Sequence, residues 1–232
     1  MEFLVVLKRD CETCQLVEPV LAELRDEFPL TLYSQDDPTF PKGLGGALDD
    51  TSLEKSWRLG VDTVPTLVRI ENGQEVSRTQ GWDCAEWVRV TGIKTLGEGL
   101  PPFQPGCGSI SVEPGMPERL ALKFGALTLE SRVIEVDEMD DPAEIAYDQG
   151  WTDGLPIIPP TDLRIARMLT GTTRDSGEIL GAIPPNLIDC TIEKAAVNAV
   201  MAGCRPEYFP VVLATVEAAL KPEFSMHGLL AT

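Results

Sequence analysis

The feature that most constrains the fold is the switching of apolar period along residues 2–94. "EFLVVLK" is an unbroken apolar run of strand length, and after Cys11 the apolar positions Leu16, Val17, Val20, Leu21 and Leu24 recur at helical spacing. "FPLTLYS" then restores a strand, and "TSLEKSWRLGV" predicts a second helix, capped by Thr51 or Ser52 and stopped near Gly60. In "TVPTLVRIENGQEVSRTQGW" two strands meet at Asn72-Gly73, a pair suited to the positive backbone angles of a tight hairpin turn. "CAEWVRVTG", from Cys84, predicts a short closing helix. Strand, helix, strand, helix, hairpin, helix is an α/β order, in which helices carry the chain between strands of one sheet.

A chain of 232 residues is long enough for one or two domains and for a core without disulfide staples. Its six cysteines are too few for a disulfide scaffold, and the early apolar run Phe3–Leu7 is shorter than a signal-peptide core. No stretch approaches the roughly 20 apolar residues of a membrane span. A cytoplasmic protein is expected, in which close cysteines serve catalysis or metal binding rather than cross-linking. The formal charge of −18 repels phosphate backbones and anionic lipid, so neither nucleic acid nor membrane is an expected partner.

The cysteine pair in "RDCETCQLVEPVLAEL" is a redox pair, half of a metal site, or two neighbouring core residues. A structural zinc site takes four ligands, yet no second CxxC follows and the single histidine, His227, lies far along the chain. No metal and no other cofactor is therefore indicated, apart from a metal bridging two protomers. The redox option has a physical basis: only the thiolate attacks a disulfide, and a helix N-terminus stabilises it. Cys11 sits at that end and is expected to be the more exposed, which makes it the nucleophile, with Cys14 resolving the mixed disulfide one turn later. Asp10 and Glu12 oppose the thiolate while Lys8 and Arg9 favour it, leaving the sign of the net shift open. Cys84 is a third redox thiol or, by default, a small buried hydrophobe.

The CxxC between first strand and first helix, the later "TVPT" at a strand start, and the hairpin with its closing helix together resemble the thioredoxin and glutaredoxin superfamily over about residues 1–94. The resemblance implies a cis Val64–Pro65 bond facing the cysteines. It also implies an extended substrate segment pairing with the backbone of Val64, so that Val64 and Pro65 form the substrate-binding turn. The sequence departs from the family pattern: Asp10 replaces the usual tryptophan, Glu12-Thr13 the usual Gly-Pro, and no acid is buried in "LVVLK". Those departures point to a dedicated redox domain serving a particular partner.

Residues 95–118, "TLGEGLPPFQPGCGSISVEPGMPE", are dense in glycine and proline and predict a linker. Within them Gly106 and Gly108 leave Cys107 on an uncrowded backbone, from which its thiol could reach a neighbouring CxxC or an incoming substrate; an ordinary turn cysteine is the alternative. Residues 119–232 predict an α+β domain: "RLALKF" and "SRVIEV" as strands, "PAEIAYDQG" and "TDLRIARMLTG" as helices, "GEILGAIPP" as a strand, then two helices separated by "CR". Val197, Val200 and Met201 form a stripe suited to core packing. Cys190 and Cys204 each stand at an expected helix start, and Cys204, beside Arg205, is a candidate secondary thiol with Cys107; a buried structural cysteine is the default for each. "GWTDGLPIIPPT" lines a site or covers the core.

From about Pro142 the chain bears a faint resemblance to large proteins that accompany small Sec-Gly-Ser-Cys (UGSC-type) redox proteins, through "GWTDGLPIIPPT", "EKAAVNAVMAGCRPEYFPVVLATVEA" and "HGLLAT". It implies redox or sulfur chemistry and a domain continuing past Thr232. The apolar Phe224, Met226, Leu229 and Leu230 near the end add to the expectation that a second polypeptide, or more chain, completes this domain.

The expected function is thiol–disulfide exchange by the CxxC module in support of the second domain, with a protein or small-molecule thiol or disulfide as partner. One alternative is a thiol-dependent lyase or sulfur-transfer enzyme, in which Cys107 or Cys204 carries the substrate and Cys11/Cys14 resets it. Another is a non-enzymatic docking module. Exposed, paired thiols would mark exchange, and a buried Cys11 would mark docking.

Overall fold

The central strand, β1 (Glu2–Leu7), explains the unbroken apolar run with which the chain begins. Phe3 through Leu7 are all at most 5% exposed, because both faces of the strand are covered. The computed structural model describes residues 1–137, 139–226 and 228 and divides into two compact units, Met1–Leu120 and Ala121–Thr232.

In the first unit β1 is followed by two short helices, α1 (Glu12–Leu16) and α2 (Glu18–Glu27), where the spacing predicts one. The break falls at Val17, one residue before α2 opens with Pro19 in its first turn; proline has no N–H to continue the ladder from Gln15. β2 (Leu30–Ser34) returns parallel to β1, and β3 (Leu48–Asp49) adds a parallel edge. α3 (Glu54–Arg58) is capped by neither Thr51 nor Ser52. The buried Asp50 carboxylate accepts the Lys55 and Ser56 amides at 2.8 and 2.9 Å, and Leu53 turns into the helix at φ 64°.

After β4 (Thr63–Val64), the hairpin β5 (Thr66–Glu71) and β6 (Gln74–Gln80) turns through Asn72 and Gly73, both at positive φ. β5 runs antiparallel to β1, giving a mixed five-stranded sheet in the order β3-β2-β1-β5-β6. β7 (Trp82–Asp83) leads into α4 (Cys84–Thr91), capped by the Asp83 side chain and stopped at Gly92. Val20, Leu21 and Leu24 of α2, together with Trp87 and Val90 of α4, complete the core around the sheet.

Residues 95–118, expected as a linker, lie within the first unit. Their first stretch packs Leu96 into the core, and β8 (Phe103–Gln104) pairs antiparallel with β7. Next, β9 (Cys107–Gly108) pairs antiparallel with β4. The glycines that suggested a flexible connection permit close approach instead. A Cβ on Gly106 would fall 2.3 Å from Thr63 Cγ2 and 2.7 Å from the Val64 carbonyl oxygen. "RLALKF" is not a strand: α5 (Met116–Lys123) sets Met116 and the buried Leu120 four positions apart on one helical face.

In the second unit "SRVIEV" also fails to form a strand. At its start the amides of Ser131 and of the preceding Glu130 donate to the buried Glu193 carboxylate at 2.7–3.1 Å instead of to a partner strand. The helices α6 (Pro142–Asp148) and α7 (Asp162–Leu169) follow as predicted, with Thr161 at the N-cap position of α7. β10 (Ile179–Ile183) pairs with β11 (Ile188–Thr191), a strand the sequence did not signal. α8 (Ile192–Met201) and α9 (Phe209–Ala219) pack Ile192, Ala196, Val200, Phe209 and Leu213 against Ile165 and Met168 of α7. His227, Leu229, Leu230 and Thr232, which carry part of the "HGLLAT" resemblance and of the expected continuation, lie outside the described residues.

One glycine tests the packing of residues 95–118. Gly97 has φ +72°, and a Cβ there would fall 2.5 Å from Trp82 Cη2, whereas Gly43 has nothing within 4 Å. Gly97→Ala should destabilise the first unit by roughly 1–3 kcal/mol, and Gly43→Ala by less than about 0.5 kcal/mol. Urea denaturation followed by tryptophan fluorescence measures both; equal midpoints would contradict the packing.

Candidate active site

Cys11 ends the loop after β1 and is the N-cap of α1. Its extended backbone lets the Cys11 carbonyl accept from the Gln15 amide at 3.1 Å while its sulfur accepts from the Cys14 amide at 3.4 Å. Cys14, one turn on, points the same way and receives the Lys8 amide on its sulfur at 3.4 Å. Opposite stands the β4 turn. The Val64–Pro65 bond is cis, and the Val64 carbonyl oxygen lies 3.6 Å from Cys11 Sγ. The spacing places these residues together as the resemblance implied.

A third thiol completes the cluster, from the segment expected to be a linker. In the antiparallel pairing of β9 with β4, Cys107 stands opposite Val64 and Gly108 opposite Thr63. That register sets Cys107 beside Cys11, whose sulfur faces the same Val64 carbonyl.

This strap is fastened along its length. The Trp82 indole donates to the Pro101 carbonyl at 2.6 Å, the Thr13 hydroxyl to Pro105 at 2.6 Å, and Lys8 Nζ to Gly108 at 3.1 Å. Beyond Gly108 the Ser109 amide donates to Asp62 at 3.0 Å. The buried Gln35 amide donates to Ser56 and Ser109 at 2.7 Å, and Ser111 donates to the Val61 carbonyl at 3.0 Å. Gly81 and Gly106 form a close crossing, where a Cβ on Gly81 would meet the Gly106 nitrogen at 2.8 Å.

Cys11 keeps its expected place as the more exposed of the pair, but the strap buries both. Cys11 is only 3% exposed and Cys14 wholly buried, while Cys107 is half-buried. The covering material is a thiol-bearing strand, so burial of Cys11 here does not mean burial among inert side chains.

Hydrogen bonds settle the sign that the flanking charges left open. The Cys14 thiol holds the Cys11 pKa well below its usual range, at about 5; burial opposes this, and the Cys107 thiol and the backbone amides of Cys14 and Cys107 reinforce it. Cys14 is pushed up, first by burial and then by the neighbouring Cys11 sulfur. Cys107 is raised for the same two reasons, with Lys8 acting against them. Arg9 is occupied elsewhere, pairing with Asp37 at 2.8 Å. The cluster therefore holds one thiolate at neutral pH beside two proton-holding thiols.

The remaining cysteines are placed differently. Cys84 packs against the first core and donates to the Leu96 carbonyl at 3.7 Å. Neither Cys190 nor Cys204 begins a helix: Thr191 caps α8, and Arg205 precedes a single 3₁₀ turn, Pro206–Tyr208. Cys190 is buried in β11 with its pKa raised by that burial, and Cys204 packs on the second unit's core. Among the described residues no group of three or more His, Cys, Asp or Glu is arranged to hold a metal ion, and no helix is long and apolar enough to cross a membrane.

The second unit holds an open groove of about 900 Å³, lined by Leu129, Trp151, Ile157, Pro159, Val197 and Met201. "GWTDGLPIIPPT" thus lines a cavity, and of the apolar stripe only Val200 is fully in the core.

Thr13, Gln35, Trp82 and Gly81 were not legible as site residues. Their roles depend on where the strap crosses, and only the spacing of Gly106 beside Cys107 offered a signal.

No protein-family model matches this chain, and no curated protein matches it. Among solved structures it is similar to thioredoxin 1 from the thermophilic eubacterium Thermosipho africanus TCF52B, at 14% identity and a TM-score of 0.29, over 39% of this chain and 89% of that one. The faint UGSC-type resemblance of the second part finds no support in these comparisons.

The ionisation of Cys11 is directly measurable. In the reduced protein, iodoacetamide labelling at Cys11, followed by peptide mass spectrometry, should rise with pH through a midpoint of about 5 and then level off. An unperturbed cysteine would rise near pH 8.5. A Cys11 midpoint there would show that the hydrogen bonds to its sulfur do not hold the thiolate.

Proposed function

We propose that the first unit is a thioredoxin-like thiol–disulfide exchange module in which Cys11 attacks and Cys14 resolves. The observation that carries this reading is the Cys11 sulfur itself. It accepts the Cys14 amide at 3.4 Å, faces the Val64 carbonyl beside cis Pro65, and holds its thiolate at neutral pH. A thiolate so held is poised to attack a disulfide sulfur. Attack forms a Cys11 mixed disulfide and releases one thiol of the substrate. Cys14, held protonated first by burial and then by the charged Cys11 sulfur, loses the second of these restraints once Cys11 is neutral in the mixed disulfide; it then attacks Cys11, and its proton goes to the departing sulfur, which leaves as the second thiol.

Burial of Cys11 favours the docking reading, in which the first unit only presents a surface. Against it stands the chemistry of the cover. A docking module has no use for three thiols gathered at one turn, one of them ionised. The partner class that suits the exchange reading is a thiol or disulfide, either a small molecule or a protein.

Loss of one sulfur separates the two readings. Cys11→Ser should lower the catalysed reduction of a small disulfide by dithiothreitol to the uncatalysed rate, whereas Cys84→Ser, away from the cluster, should leave it unchanged. A Cys11→Ser protein as active as the parent would remove the exchange function and leave docking.

A further inference from the structure

We infer that residues 101–111 are a tethered occupant of the substrate groove and that Cys107 is the outward thiol of a three-cysteine relay, passing disulfides between solvent and Cys11. The inference rests on the exchange reading of Cys11 and Cys14 and adds to it the route by which a substrate reaches them.

Three observations carry it. The first is the backbone: β9 pairs antiparallel with β4, placing Cys107 opposite Val64. An extended substrate segment aligned on Val64 would put its cysteine in this position, so the protein supplies that segment itself. The second is exposure, which falls inward from half-buried Cys107 to Cys11 at 3% and Cys14 at 0%. A disulfide arriving from solvent therefore meets Cys107 first. The third is fixation. Trp82, Thr13, Lys8 and Gln35 hold the strap on both sides of Cys107, and Gly81 and Gly106 are backed against each other where any side chain would clash. Such a strap is built to stay in the groove, which excludes extended polypeptides from Val64 and favours small disulfides.

The relay balances at each step. Cys107 passes its proton to the neighbouring Cys11 sulfur as it attacks a small disulfide, forming a mixed disulfide at Cys107 and releasing the first half of the reagent as thiolate, which takes that proton back from Cys11. The Cys11 thiolate attacks the Cys107 sulfur; the Cys107–reagent bond breaks, the second half leaves as thiolate, and a Cys11–Cys107 disulfide forms. Cys14 gives up its proton and attacks Cys11 Sγ. The Cys11–Cys107 bond breaks, Cys107 leaves as thiolate, and a Cys11–Cys14 disulfide remains. The small disulfide is reduced to two thiols and the protein dithiol is oxidised, with protons passing to the released thiolates. Run backward, the same steps reduce the protein.

The test uses the full chain, reduced and then treated with 2-hydroxyethyl disulfide, with alkylation and non-reducing peptide mass spectrometry at intervals. In Cys14→Ser the last step is blocked, and most Cys11 and Cys107 should be recovered as a single crosslinked peptide, with both halves of the reagent released. In Cys107→Ser, formation of the Cys11–Cys14 disulfide should be slower than in the parent by about tenfold or more, because the reagent must reach a covered sulfur. The relay is overturned if Cys14→Ser accumulates a stable reagent adduct on Cys11 with Cys107 still free, or if Cys107→Ser oxidises as fast as the parent; either result leaves exchange by Cys11 and Cys14 intact. If the parent itself forms neither a Cys11–Cys14 nor a Cys11–Cys107 disulfide, the relay and the exchange reading fall together.

Discussion

The short antiparallel pairing of Cys107–Gly108 with Thr63–Val64 is the contact on which the site depends. It brings the third thiol to Cys11, buries the Cys11 sulfur, and gives Gln35, Thr13 and Trp82 their partners on the strap. Two paired residues contribute little stability alone. The pairing persists because hydrogen bonds before and after it fix the strap, and because two glycines allow the backbones to approach within side-chain distance.

The electrostatics of the site follow from that geometry more than from charge. Arg9 and Asp10 are drawn to the Asp36–Asp37 turn: the Arg9 and Asp10 amides donate to Asp36 at 2.8 and 2.9 Å. What remains at the Cys11 sulfur is a ring of S–H and N–H donors from Cys14 and Cys107, strong enough to offset burial. The same burial pushes the other two thiols up, so a single environment separates the cysteines into one anion and two proton-holding partners. That separation is the usual way a site of identical groups acquires different roles.

The second unit depends on a different device, the buried Glu193 at the start of α8. Its carboxylate takes the amides of Glu130 and Ser131, which seats Leu127 and Leu129 on the core without a sheet. A buried charge is tolerated here because backbone donors surround it.

Local order set by periodicity was legible in the sequence. The central strand, the hairpin at Asn72-Gly73, α4 with its Gly92 stop, and α7 and α8 follow from apolar spacing and turn chemistry, which act between near neighbours. The proximity of Cys11, Cys14 and Pro65 was implied by the family resemblance of the CxxC and "TVPT" motifs, not by periodicity. What periodicity could not show was where residues 95–118 go. Glycine and proline weaken local preference, and the same composition serves a loose connection or a tightly crossed strap. Only the shape of the surface between Gly81 and Val64 decides between them. The break at Val17 and the helical state of "RLALKF" turn on local details that apolar spacing blurs, Pro19 and the Met116–Leu120 face, whereas at the start of "SRVIEV" the distant Glu193 takes the backbone donors. The sequence by itself determined which residues could carry sulfur chemistry; the tertiary structure decided that Cys107 covers Cys11, because that contact joins segments that no local interaction connects.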